Sequence, residues 1–173
     1  MPILVLGTMG IIAAKFPQVL GNGSYTCELL FTGAISSGTV LLPLLVLKPA
    51  ATVLCLRSGT PGGLFTPTLT LGALLGASVG FALNCAWPEI PLSLAAILGA
   101  GAVLAATPQG PISAVVLMME LTNRDRSLIA PLILAICLAT LISRTLERRS
   151  IYDARLSDEQ LKERLEAREH SAP

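Results

Sequence analysis

The chain has 173 residues, 53% hydrophobic and 13% charged, with a formal net charge of +1 and a mean hydropathy of +0.71. That balance lies far above soluble norms and gives no basic surface for nucleic acid, and an aromatic content of 4% offers no platform for stacking bases. Over residues 1–121 the only charged side chains are Lys15, Glu28, Lys48, Arg57, Glu89 and Glu120, with the rest crowded into the last third, which predicts an integral membrane body followed by a soluble tail.

Residues 1–14 are apolar and end at Lys15, Phe16 and Pro17, which makes a helix shorter than the roughly 20 residues a full span requires. They lack the positively charged lead of a signal peptide and read as the middle of a membrane helix whose start lies upstream. Residues 17–24, PQVLGNGS, form a turn-rich connection in which Gly21 and Gly23 bracket Asn22. A short semi-apolar segment at 27–35 carries Glu28 and stops at Ser36, Ser37 and Gly38. Residues 39–56 would span by length, but Pro43, Lys48 and Pro49 interrupt them. A helix with such breaks is expected to be kinked or packed inside protein, because lipid offers freed backbone groups no partner.

The stretch 58–68, SGTPGGLFTPT, sets Gly59, Pro61, Gly62 and Gly63 directly before an apolar run whose first turn holds Pro67. A helix that starts this way leaves N–H groups unpaired, notably on Leu64 and Phe65, at the positive end of its dipole. Gly62 and Gly63 carry no side chain to block a close approach. The residues alone allow two readings, a plain loop and helix start or an anion site without lysine or arginine.

The helix that follows, residues 65–86, places Gly72, Gly76 and Gly80 at four-residue spacing, a small-residue stripe that predicts a second helix in close approach. Residues 87–91 form a boundary, with Trp87 suited to the headgroup level. Further apolar segments run over 92–106, 112–121 and 128–142, separated by TPQGP and by a loop holding Arg124, Asp125 and Arg126. Short, interrupted hydrophobic segments with Gly or Pro at nearly every junction are a mark of transport proteins with broken helices, and the absence of period-two alternation excludes a porin-like barrel. Arg144, Arg148, Arg149 and Arg155 place the end of the last apolar helix in the cytoplasm, against the weaker opposing pull of Arg124 and Arg126. Residues 153–173 predict a charged cytoplasmic helical tail, with i,i+4 pairs from Asp158 to Lys162 and from Lys162 to Glu166. Cys27, Cys55, Cys85 and Cys137 lie far apart beside apolar sequence and read as small core hydrophobes, implying neither zinc nor a disulfide framework.

Where the membrane body ends, SIYD at 150–153 carries a lone tyrosine, Tyr152, either an interfacial anchor or a neutral O–H donor aimed inward. In series, GGLFTP at 62–67, the glycine-spaced helix after it, PISAVVLMMELT at 111–122 and SIYD resemble the CLC family of chloride channels and chloride/proton antiporters. The resemblance runs in the family's order from FPQVLGNG at 16–23 to Tyr152.

The resemblance implies an all-α membrane protein of broken and tilted transmembrane helices, the second inverted repeat of a CLC-type fold over residues 1–152 with an incomplete first helix, and the tail over 153–173. It implies a central chloride held by the amides of Leu64 and Phe65 within the family's GxFxP element. That element falls on Gly63, Leu64, Phe65, Thr66 and Pro67, with Gly62 supporting the approach, and the hydroxyl of Tyr152 faces it. Amides and a phenol replace part of chloride's hydration without a full opposite charge to trap the ion. Arg57 either adds a favourable field at the approach or snorkels.

The family's GSGIP and GREGP elements, which supply a coordinating serine and a gating glutamate, do not occur in this sequence, and Glu28, Glu89 and Glu120 do not sit in such motifs. The expected function is therefore chloride movement as a channel or a chloride/proton antiporter, present here as the carboxy-terminal half and dependent on the missing first repeat. The alternatives are a non-conducting remnant or assembly partner and a fluoride-exporting relative. A homodimer in the complete protein, contact with membrane lipid and a bacterial inner (plasma) membrane location are expected. No cofactor is implied beyond the chloride ion, nor is any enzymatic site, since no nucleophile with a base partner is visible.

Overall fold

The computed structural model describes residues 2–58, 63–84, 86, 90–107, 110–122 and 128–146. Gly62, Trp87, the loop with Arg124 and Arg126, Tyr152 and the tail at 153–173 lie outside the described residues. Among the described residues every regular element is a helix: α1 (Pro2–Lys15), a 3₁₀ turn (Pro17–Val19), α2 (Ser24–Phe31), α3 (Gly38–Arg57), α4 (Phe65–Leu83), α5 (Leu92–Ala106), α6 (Pro111–Thr122) and α7 (Ile129–Leu146).

The core is built around α5, which packs against α2, α4, α6 and α7. Its buried residues, Ala96, Ile97, Ala100, Gly101, Leu104 and Ala105, recur every four positions as adjacent pairs, and most are small enough to let neighbouring backbones come near. The glycine stripe of α4 meets this surface as its spacing predicts. A Cβ on Gly72 would stand 2.6 Å from the Gly99 carbonyl oxygen, and one on Gly99 would stand 2.6 Å from the Cα of Gly76. On the other side of α5, Gly101 lies under Leu132 and Ile136 of α7 and Met118 of α6.

The carboxyl end of α5 is closed by a neighbour. Ser143 Oγ on α7 donates to the Ala106 carbonyl at 2.9 Å, satisfying one of the oxygens a helix end leaves without an internal partner. Ser143→Ala is expected to lower stability by about 1 kcal/mol, read as a lower thermal midpoint in detergent. A midpoint equal to the parent's would mean that another donor serves that carbonyl.

Two expectations need correction. The segment read as interrupted by Pro43, Lys48 and Pro49 forms one continuous helix of 20 residues, α3. Each proline removes one backbone donor, a loss that a helix held by neighbours absorbs. Within the described residues 22% of its most apolar window is buried. Its inward stripe is Leu41, Leu44, Lys48 and Ala51, spaced by three or four residues. The segment read as starting at residue 27 starts at Ser24, because Gly23 at φ 104° turns the chain into the helix and the Asn22 side-chain oxygen accepts from Ser24 N and Oγ at 3.2 and 3.1 Å.

Helices α3, α4 and α7 are long and apolar enough to cross a membrane, with mean hydropathies of 2.0, 1.4 and 2.0. In α7 only 17% of the apolar window is buried, and Leu134, Leu138 and Leu141 lie exposed along one face. An outward stripe of this kind is costly in water and natural against lipid or another apolar protein surface. The chain is an all-α membrane protein.

The start of α4 as a candidate anion site

Helix α4 begins at Phe65, with Leu64 as its N-cap, and no side chain caps it. Of the four backbone N–H positions that an α-helix start leaves without an internal acceptor, three carry a hydrogen here, on Leu64, Phe65 and Thr66, while Pro67 has none. The carbonyls of the same turn are engaged. Thr68 N donates to the Leu64 oxygen at 3.0 Å and Thr68 Oγ1 to the same oxygen at 2.6 Å, while Thr70 Oγ1 donates to the Thr66 oxygen at 2.8 Å. The helix start thus presents donors with the acceptors turned into the helix, a charge pattern suited to an anion.

Access is open on the glycine side. Gly63 is exposed, and a Cβ placed on it would meet nothing within 4 Å. Phe65 is 43% exposed, and Leu64, Thr66 and Pro67 are half-buried. The structure thus brings Gly63, Leu64, Phe65, Thr66 and Pro67 together at one helix start. Gly62 and Tyr152 lie outside the described residues, so the pairing of the phenol with these amides is not described.

Arg57 is exposed in the last turn of α3. Glu28, exposed on α2, lines a cavity of about 430 Å³ together with Leu69 of α4 and Thr122 of α6. The cysteines do not share one environment: Cys27 is core, Cys55 is half-buried and Cys137 is exposed on α7. The reading of all four as core hydrophobes fails at Cys137 because α7 turns most of its apolar surface outward.

Sequence reasoning took Lys48 only as an interruption. The structure buries it to 3% exposure on the inward stripe of α3 and points its ammonium at the 3₁₀ turn. Nζ lies 3.1, 3.0, 3.1 and 3.3 Å from the carbonyl oxygens of Gln18, Val19, Leu20 and Gly21, which share its three hydrogens. The available signal was a lone cation inside an apolar span, which is expensive and therefore partnered.

Together the fold and this helix start define a helical membrane protein with uncapped amides open to an anion. A family model described as voltage gated chloride channel matches residues 1–144. The chain belongs to that family, the CLC family. Two curated relatives, both named H(+)/Cl(-) exchange transporter ClcA, come from Citrobacter koseri and Salmonella arizonae. Each is 35% identical over 153 residues, covering 87% of this chain and 32% of the relative. The chain spans about a third of the length of the curated relatives it matches.

Proposed function

We propose that this chain forms the carboxy-terminal part of a chloride transporter, about a third of the length of its relatives, and carries part of the anion path at the start of α4. The observation that carries the reading is a helix start with three donor amides, no side-chain cap and an open glycine, in a chain of the CLC family. Leu64 and Phe65 donate to the central chloride, Gly63 and Gly62 let it approach, Thr66 and Pro67 hold the first turn, and Tyr152 brings its hydroxyl from the far side. Donors without a formal positive charge bind a halide firmly enough to strip water and weakly enough to release it.

The names of the relatives favour exchange of chloride against protons over simple conduction. The chain acts as a transporter and not as an enzyme, and it needs a first repeat to complete the ligand set. Residues 1–152 make the membrane body and residues 153–173 a cytoplasmic tail, in a homodimer in a bacterial inner membrane.

Chloride flux in liposomes carrying the complete transporter tests the reading. Gly63→Val places a side chain in the open approach, where its Cβ meets nothing within 4 Å, and Tyr152→Phe removes one donor. Each is expected to lower flux about tenfold or change anion selectivity, with the thermal midpoint unchanged. Parental rate and selectivity in both variants would sink the assignment. A second reading is a non-conducting partner or remnant. Flux from this chain alone would rule that out.

A further inference from the structure

An irregular turn has no helix ladder to serve its carbonyls, and in a membrane body the protein must supply their donor; in the turn at 18–21 only Val19 is buried. The carbonyls of Gln18 to Gly21 converge on a single point, and the ammonium of Lys48 occupies it. Its four hydrogen-bond partners among the described residues are all backbone carbonyls, so the site compensates the charge by dipoles.

From this point a polar path runs through an otherwise apolar core. Thr26, 1% exposed, donates through Oγ1 to the same Gln18 carbonyl at 2.9 Å, fixing α2 to the turn. The next residue of α2, Cys27, directs Sγ to Thr70 Oγ1 at 3.3 Å. Thr70, fully buried, passes its own hydrogen to the Thr66 carbonyl in the first turn of α4 at 2.8 Å. The path ends at the Thr66 carbonyl, in the same first turn as the amides of Leu64 and Phe65.

We propose that Lys48 is a positioning residue for the anion site: by clamping the turn at 18–21 it seats α2, and through Cys27 and Thr70 it sets the first turn of α4 and the aim of its amides. The role rests on the reading of the α4 start as a chloride site. Lys48 touches no anion and acts only through the turn and α2.

The test uses chloride flux in liposomes carrying the complete transporter, read as the chloride concentration for half-maximal rate. Lys48→Met removes the clamp and is expected to raise that concentration about fivefold or more, with Lys48→Arg, which keeps charge and donors, returning it to within about twofold. Thr70→Val cuts the path at its α4 end while the ammonium stays seated, and should raise it about threefold. Because both lie on one path, the double variant should be no worse than Lys48→Met within about twofold.

Half-saturation within twofold of the parent in Lys48→Met, or effects that multiply in the double variant, would overturn the proposal. If Lys48→Met yields no folded protein, Thr70→Val decides alone: an unchanged value overturns the proposal and a raised one supports it. Gly63→Val separates the two layers. A shift there without one in Lys48→Met and Thr70→Val removes only the positioning role, whereas no shift at Gly63 removes the anion site on which that role depends.

Discussion

Gly76→Val is expected to abolish the folded membrane body, and Gly76→Ala to lower its thermal midpoint sharply. A Cβ at Gly76 would overlap the Ala95 carbonyl oxygen and come within 2.9 Å of the Gly99 Cα. Both are backbone atoms on α5 and cannot rotate away. Two effects oppose each other. Replacing a helical glycine with alanine gains up to about 1 kcal/mol of helix propensity. Overpacking a tight contact costs about 1 to 3 kcal/mol for one methyl and more for a branched side chain, and here α4 must move off α5 along the stripe, since a Cβ on Gly72 would also meet α5 backbone and one on Gly80 would stand 2.6 Å from the Ala95 Cβ. The clash therefore wins. Gly10→Ala on α1 is the control: nothing lies within 4 Å of the added methyl, so propensity alone acts and stability should hold or rise. The measurement is the recovery of monodisperse protein in detergent and its thermal midpoint. A Gly76→Val variant that melts with the parent would show that α4 and α5 do not meet through these glycines.

The same comparison explains which parts of the fold were legible in the sequence. Helix existence follows from apolar runs punctuated by Gly and Pro, and the α4 to α5 contact follows from Gly72, Gly76 and Gly80 because the spacing itself states how close a partner may come. What the runs could not give was direction. Lys48 and the two prolines of α3 read as defects along the chain, whereas in space Lys48 falls on the inward stripe with Leu41, Leu44 and Ala51, where a turn from 30 residues earlier requires a donor. Cys27 and Cys137 look alike in sequence and differ in burial because one lies on a helix wedged against α4 and the other on a helix with most of its surface outward.

The helix start at α4 was legible for a local reason. Glycines before an apolar run and a proline in the first turn determine a helix start by themselves, so Leu64 and Phe65 could be placed without any tertiary contact. The path behind that site was not legible, because it joins Gln18, Thr26, Cys27, Lys48, Thr66 and Thr70, from four elements whose juxtaposition no periodicity encodes.

Gly23→Ala is expected to have the second large effect, and it tests whether α2 is seated against α4 as tightly as the path requires. Gly23 is the N-cap of α2 and sits at φ 104°, where an L side chain costs about 1 to 2 kcal/mol before it touches anything. The added Cβ would also overlap Thr70 Oγ1 and lie 2.9 Å from Thr70 Cβ. Rotating the hydroxyl away relieves the first contact but not the second, and it breaks both the Cys27 to Thr70 and the Thr70 to Thr66 hydrogen bonds. Gly21 separates the two costs, since it is also left-handed, at φ 72°, but has nothing within 4 Å. Gly21→Ala should therefore cost only the backbone term of about 1 kcal/mol, and Gly23→Ala at least about 2 kcal/mol more from overpacking and the lost hydrogen bonds. Thermal midpoints of the two variants, compared with that of Thr70→Val, carry the measurement. If Gly21→Ala and Gly23→Ala fall equally, the backbone term accounts for both and α2 does not press on α4 at Thr70. If Gly23→Ala falls further, and adding Thr70→Ala recovers part of the difference by making room, the contact between the α2 cap and the second turn of α4 is the place where the turn clamped by Lys48 transmits its position.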